Sequence, residues 1–379
     1  MTRPMLHFWQ PVLTDHAIFT FKALADELGM EALCISDRAE LGIRKDQGWT
    51  SASDVLPMEL LPADGWQARI DGLIGRHSDD IHIIASPFER SRINLALRLA
   101  TRQRTQVFLS SEPYAPGAVS YFGSGVTLKD RIKGWVRPWL YRSYGLRYAK
   151  RLSGVFAISP LAVQQYTRMG VAQHRVFPFG YFVPAAHSIT ASVPRPEARK
   201  GLRIAFVGSL IARKGVTIAI EALKRMSLSA TLDIFGPGDP AALGPLPSNA
   251  RYGGKIAFGQ TQAALVPYDV LVVPSMHDGW AVVVNEGIQA GVAVVASEET
   301  GASAMIARWQ CGARFPAGNV DALASQLDRL ASNDRLLEEA RMQARTLARL
   351  LDPAEAGRYM AGCIRATQAS EAPPPCPWY

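Results

Sequence analysis

The chain has 379 residues, 48% hydrophobic and 20% charged, which excludes disorder over most of its length and suits two or three globular domains. Lysine and arginine exceed aspartate and glutamate by 41 − 33 = 8, so the surface should attract anions such as a sugar nucleotide, nucleic acid or acidic lipid. Cys34, Cys311, Cys363 and Cys376 lack metal-ligand spacing or a disulfide framework, and no signal segment or apolar run of ~18 to 20 residues occurs, so a reducing cytoplasmic setting without a bound metal is expected.

Short apolar runs alternate with amphipathic segments, the pattern of parallel sheets wrapped in helices, and predict two doubly wound α/β domains. In the first half, strands are expected at Met5–Trp9, Glu31–Ser36, Ile81–Ala85, Val107–Ser110 and Gly154–Ile158. Helices His16–Leu28 and Phe88–Ala100 lie between them, and a long irregular segment covers Arg38–Gln67. Residues 183–201 hold three prolines without periodicity and read as the linker between a first domain, about 1–190, and a second, about 198–352. The second domain should run strand Leu202–Val207, helix Val216–Arg225, strand Thr231–Phe235, a Pro/Gly-rich stretch to Gly254 and strand Val270–Pro274. Helix Val283–Ala290, strand Val292–Ala296 and one long helix, Val320–Leu350, complete it. A last helix, about Pro353–Ala366, precedes the tail EAPPPCPWY, which should be poorly ordered unless it docks.

Between the fourth and fifth strands of the first half lies a basic, aromatic stretch, Leu128–Leu152. Lys129, Arg131, Lys133, Arg137 and Arg142 alternate there with Trp135, Trp139 and several tyrosines. Cations beside amphipathic rings suit the headgroup layer of an anionic bilayer. A helix snorkelling over the core gives the same pattern. Nucleic acid is the least favoured partner, because no helix-turn-helix, zinc-finger, RRM or KH signature accompanies the stretch.

Chemistry concentrates in the second half. Tyr268–Ile306 places Asp278, Gly279 and Trp280 in the loop after a buried strand and Glu286 in the following helix. Carboxylates and a glycine just beyond a strand's C-terminal end line the crevice where α/β sheets bind ligands. Val207–Val216 carries Gly208, Ser209, Arg213 and Lys214 ahead of a helix start, where free amides and cations suit a diphosphate. Gly236 and Gly238 follow another strand and suit a plain turn.

At these residues the sequence resembles the retaining GT-B glycosyltransferases of the GT4 type (glycosyltransferase group 1), in the branch that builds bacterial surface polysaccharides. The hallmark pair of carboxylates seven residues apart is Asp278-x7-Glu286, and Gly208, Leu210, Lys214 and Gly215 match the Gly-Arg-Leu-x-x-x-Lys-Gly element. Asp278 replaces the family's usual glutamate, Ala281 a common glycine and Ser209 the usual arginine, for which Arg213 is the nearest substitute. The resemblance implies two Rossmann-like domains facing a cleft, with the C-terminal segment 353–379 packing back on the first, acceptor-binding domain. It implies that Asp278, Gly279 and Trp280 hold the donor sugar, Glu286 the ribose, and Lys214 with Arg213 the diphosphate, with Gly236 and Gly238 in a loop beside the nucleotide base unless they form only a turn. His16 would face the leaving group, and Glu112 stands where many relatives have a histidine followed by glycine, unless it is an ordinary surface glutamate.

The implied reaction moves a sugar from a nucleotide-sugar donor to a hydroxyl of a saccharide or polyprenyl-linked saccharide with retention of configuration. No cofactor or metal is expected, and the protein would sit peripherally on the cytoplasmic face of the inner membrane. A catalytically silent sugar-nucleotide-binding protein and a GT-B nucleotide-sugar epimerase are the alternatives.

Overall fold

The computed structural model describes residues 3–12, 15–38, 55–85, 88, 91–103, 105–114, 128–186, 201–257 and 259–379, with the backbone alone at 15, 16, 129 and 130. Most of the expected linker, residues 187–200, lies outside the described residues. The described residues fall into two compact units. One lies within Met1–Tyr114, Arg137–Val183 and Pro353–Pro377, the other within Ala115–Val136, Pro184–Asp352 and Trp378–Tyr379.

The first unit is built on seven parallel strands, β1 (Met5–Val12), β2 (Glu31–Arg38), β3 (Met58–Leu60), β4 (Ile81–Ala85), β5 (Gln106–Ser111), β6 (Gly154–Ile158) and β7 (Val176–Phe179). Their order is β3-β2-β1-β4-β5-β6-β7, so the winding reverses between β1 and β4. Both faces of this sheet are buried, which is why its strands read as continuous apolar runs rather than alternating ones. Helices α1 (Asp15–Leu28), α2 (Trp66–Ile74), α3 (Asn94–Gln103), α4 (Leu128–Tyr148) and α5 (Pro160–Arg168) accompany it.

The second unit has six parallel strands, β8 (Leu202–Val207), β9 (Ala230–Phe235), β10 (Ala250–Gly254), β11 (Val270–Val273), β12 (Ala293–Ser297) and β13 (Gly312–Phe315), in the order β10-β9-β8-β11-β12-β13. Its helices are α6 (Val216–Arg225), α7 (Thr261–Leu265), α8 (Val282–Gln289), α9 (Ser303–Trp309), α10 (Val320–Ala331) and α11 (Asp334–Ala348). α12 (Pro353–Ala369) returns to the first unit and packs along α1. Gly357 permits that approach, since a Cβ there would lie 2.7 Å from the Ala23 carbonyl carbon.

Three expectations are corrected. The single helix Val320–Leu350 is two helices, because Asn333 accepts a hydrogen bond from the Leu336 amide at 3.0 Å and caps α11; that local bond overrides a continuous hydrophobic period. The helix expected from Phe88 begins at Asn94. The stretches expected to be irregular supply the edge strands β3 and β10. The last two residues of the tail belong to the second unit: Trp378 is fully buried, and its indole donates to the Leu350 carbonyl at 2.7 Å.

Inside the first sheet, His7 and His82 are register partners on β1 and β4, their rings stacked 4.9 Å apart. Burial pushes both imidazoles down, His82 to about 3. Together with Asp80 they bring ligand-type atoms within 4.8 Å of one another. The Trp9 indole, however, donates to His82 Nδ1 at 3.2 Å. That bond leaves the proton of the neutral ring on Nε2, turning the remaining nitrogen into a donor rather than a metal ligand.

Candidate functional site

In the second unit the winding reverses between β8 and β11, and the loops leaving these two strands meet at the topological switch point, where open α/β sheets bind ligands. The loop after β8 carries Gly208, Ser209, Arg213 and Lys214; the loop after β11 carries His277, Asp278, Gly279 and Trp280. Lys214 Nζ lies 2.5 Å from Asp278 Oδ2. Arg213 Nη1 donates to the His277 carbonyl at 3.0 Å, and the Met276 amide returns a bond to the Arg213 carbonyl at 2.8 Å. Gly215 closes the first loop at φ +71°, and a Cβ there would stand 1.9 Å from the Pro274 carbonyl oxygen. The glycine is therefore what allows the two loops to touch.

A third loop holds the second in place. The Asp278 amide donates to the Glu299 carbonyl at 3.0 Å, the Gly301 amide to the Asp278 carbonyl at 3.0 Å, and Ser297 Oγ to the Ser275 carbonyl at 2.5 Å. Asp278 is thus pinned by its backbone while its side chain meets Lys214. Burial pushes the Asp278 carboxyl up, but the Lys214 ammonium, with Arg213 and His277, outweighs it and holds the group below the usual carboxylate range. His277 is buried beside it, and burial pushes its imidazole down.

Glu286 makes a different contact. It sits on α8, half-buried, with a hydrogen bond to Thr261 at the start of α7. Burial nevertheless pushes its carboxyl from 4.5 up to about 7, so a ligand that donates hydrogen bonds to the ionised form would bind with release of a proton.

The remaining sequence-selected residues divide. Trp280 turns inward: its ring is buried and its indole donates to Asn285 Oδ1 at 2.9 Å, which leaves the backbone as its means of meeting a ligand. Gly236 packs on Gly208 and Gly238 on Leu210, so this glycine loop lies beside the loop after β8. Asp239 next to it caps a short turn, accepting from the Ala241 amide at 2.9 Å. In the first unit, Glu112 follows β5 and is half-buried, its carbonyl accepting from Ser111 Oγ at 3.1 Å. The backbone of His16 lies in the first turn of α1, while its side chain lies outside the described residues.

The basic aromatic stretch also splits. Tyr141 and Tyr144 pack with Phe88, and Tyr148 is buried, so this end of α4 belongs to the core. At the other end Leu128, Ile132, Trp135, Val136, Trp139 and Leu140 are exposed, Trp135 at 75% and Trp139 at 67%. Their three- and four-residue spacing puts them on one stripe of the helix. Arg131, Lys133 and Arg142 are exposed alongside, Arg137 is half-buried, and the Lys129 side chain lies outside the described residues. Among the described residues no helix is long and apolar enough to cross a membrane.

His277 and Thr261 were not foreseen. Adjacency to Asp278 was the one signal for His277; Thr261 reaches Glu286 from another helix, a contact that no sequence spacing encodes.

The α/β fold, with parallel sheets of seven and six strands, is that of the GT-B glycosyltransferases. Residues 201–333, which include every residue of the switch-point site, match the model of the family described as Glycosyl transferases group 1. A curated relative, the phosphatidyl-myo-inositol mannosyltransferase of Mycobacterium leprae (strain TN), is 27% identical over 216 residues, 55% of each chain. The chain thus spans about half the length of that relative. Among solved structures, Anabaena Alr3699/HepE in complex with UDP and glucose superposes with a TM-score of 0.68 at 13% identity, covering 96% of this chain and 100% of the other. WaaG, a glycosyltransferase involved in lipopolysaccharide biosynthesis, superposes with a TM-score of 0.60 at 14% identity, covering 95% and 99%.

Proposed function

We propose that this chain is a retaining glycosyltransferase that moves a hexose from a nucleotide-sugar donor to a hydroxyl of a saccharide or lipid-linked saccharide, in bacterial surface-polysaccharide assembly. The observation that carries this reading is the Lys214–Asp278 pair at the β8/β11 switch point. Each is the other's counterion. A diphosphate arriving there takes hydrogen bonds from Lys214, with Arg213 beside it, and releases the Asp278 carboxylate to accept from sugar hydroxyls. Glu286, as the ionised carboxylate, accepts from the ribose hydroxyls.

As the bond from the anomeric carbon to the diphosphate oxygen lengthens, negative charge grows on that oxygen. The Lys214 ammonium and the amides of the loop stabilise it, a kind of contribution typically worth ~10²- to 10³-fold in rate. The acceptor oxygen attacks the same face, and its proton passes to the departing phosphate oxygen. No step in this scheme calls on a metal. The first unit takes the acceptor, with Glu112 and His16 as its candidate contacts. The mannosyltransferase relative, whose name specifies a phosphatidyl-myo-inositol substrate, supports a lipid acceptor. The exposed stripe of α4 then rests on an anionic membrane on the cytoplasmic side, where each cation adds about 1 kcal/mol.

Thermal shifts with UDP, GDP, dTDP and ADP test the donor site, because a ligand selective for the native state raises stability as ln(1 + [L]/Kd). One nucleotide should raise the Tm of the wild type and not of Glu286→Ala; UDP comes first, being bound in HepE. If none does, the donor site is wrong. Binding without transfer or donor hydrolysis would favour a silent sugar-nucleotide protein, and donor conversion without acceptor an epimerase. The membrane contact predicts that Trp135→Ser/Trp139→Ser stops cosedimentation with phosphatidylglycerol vesicles.

A further inference from the structure

At the N-terminal ends of β5, β6 and β7, opposite the sheet edge that carries Glu112, the first unit has a hollow of about 650 Å³. Among the described residues it is lined by Arg102, Lys150, Arg151 and Arg175, with the hydroxyls of Thr105, Ser153 and Thr367, and by no carboxylate. Among the described residues none of the four cations forms a salt bridge; Arg175 Nη1 donates to the Leu152 carbonyl at 3.3 Å. Three helix ends, those of α3, α4 and α12, bring their carbonyl poles to the hollow. At about half a negative charge each they offset about one and a half of the four positive charges and leave roughly two and a half uncompensated. Cations held together without counterions repel one another, and the arrangement is relieved by an anion.

The hydroxyls narrow the ligand. Thr105 donates to the Ala100 carbonyl at 3.3 Å and Thr367 to the Cys363 carbonyl at 2.8 Å, so each presents its oxygen as an acceptor. Ser153 Oγ accepts from the Val107 amide at 3.1 Å and keeps its own proton to donate. Among the described residues no aromatic ring lines the hollow, so none of them would stack a base. We propose that this hollow binds the phosphate ester of a polyhydroxyl compound, its phosphate among the four cations and its hydroxyls on Thr105 and Thr367. The site is independent of the glycosyl-transfer reading. The ester is either a soluble sugar or glycerol phosphate or the headgroup of an acidic lipid, since the chemistry presented is the same.

Calorimetric titration of the full chain with glycerol 3-phosphate at constant ionic strength, with glycerol and sodium chloride as controls, tests it. Saturable binding is expected for the wild type and for Lys214→Ala, in which the proposed donor-phosphate site is disabled. Arg102→Gln/Lys150→Gln should weaken it at least tenfold while keeping the wild-type Tm in chloride, because both side chains are exposed. If glycerol 3-phosphate also releases the protein from phosphatidylglycerol vesicles, the hollow takes a lipid headgroup; if it binds without releasing it, the ligand is soluble. Absence of saturable binding in the wild type, or undiminished binding in the double variant, would overturn the proposal.

Discussion

The two units share one winding and differ in where they place their buried histidines. In the second unit, among the described residues, Asp278, His277 and Lys214 gather on loops beyond the strands' C-terminal ends, where neighbouring charges and backbone groups answer them. In the first, His7 and His82 lie within the sheet, beside Asp80; among the described residues, both nitrogens of His7 and Nε2 of His82 have no hydrogen-bond partner. Loops that leave a switch point can be shaped to meet a ligand. A residue locked in a strand register cannot follow one. The loop arrangement is therefore the one suited to meeting a ligand, and the in-strand one shows up mainly in how stability responds to acid.

Four measurements would break or sharpen that contrast. Lys214→Ala and Glu286→Ala should each lower kcat/KM by at least about 10²-fold, about 2.7 kcal/mol of transition-state stabilisation; near-native turnover in both would remove the second unit's claim to the chemistry. Glu286→Gln should stabilise the ligand-free protein by about 2 kcal/mol at pH 8 and hardly at all at pH 4.5, allowing for a half-buried side chain. The sign follows because the folded carboxyl, raised to about 7, holds its proton longer than the unfolded one. Its contribution is complete below 4.5 and lost as pH rises through 7, so the two Tm curves should diverge upward in pH.

His82 has the opposite sign. Its folded value, about 3, lies below the ordinary 6.5, so its contribution is complete above 6.5 and lost as pH falls. Urea titrations should show His82→Gln removing up to about 1.4 kcal/mol per pH unit from that acid slope; an unchanged slope would mean that the ring is protonated in the fold. The smallest effect belongs to Ala281, which sits at φ +72° just before α8, a conformation that costs a residue bearing a Cβ about 1 kcal/mol or more. Ala281→Gly should raise stability by about 0.5 kcal/mol, since glycine loses more chain entropy on folding. This is the position where the resemblance already called for a glycine.

Buried strands such as Val270–Val273 and Ala293–Ser297 were legible because both of their faces are covered and the sequence is uniformly apolar. β10, with two glycines and three half-buried residues, carries no such signal. The break between α10 and α11 is written in Asn333, whose capping bond outweighs the apolar period. Of the site, residue types were legible and directions were not: nothing in the spacing says that Trp280 points inward. Nor does it say that Lys214 and Asp278, on loops 64 residues apart in sequence, become one ion pair through the adjacency of β8 and β11.

The distribution of tryptophans makes the molecule its own optical reporter. Trp9, Trp280 and Trp378 are fully buried, whereas Trp135 and Trp139 stand largely in solvent on a single helix. Emission should therefore contain a blue, poorly quenched component from the packed indoles and a red, acrylamide-accessible component to which Trp135 and Trp139 contribute. The part of the red emission lost in Trp135→Phe/Trp139→Phe belongs to α4, and a surface that covers this helix would shift and protect that part, so the difference spectrum could distinguish contact at α4 from loss of the fold.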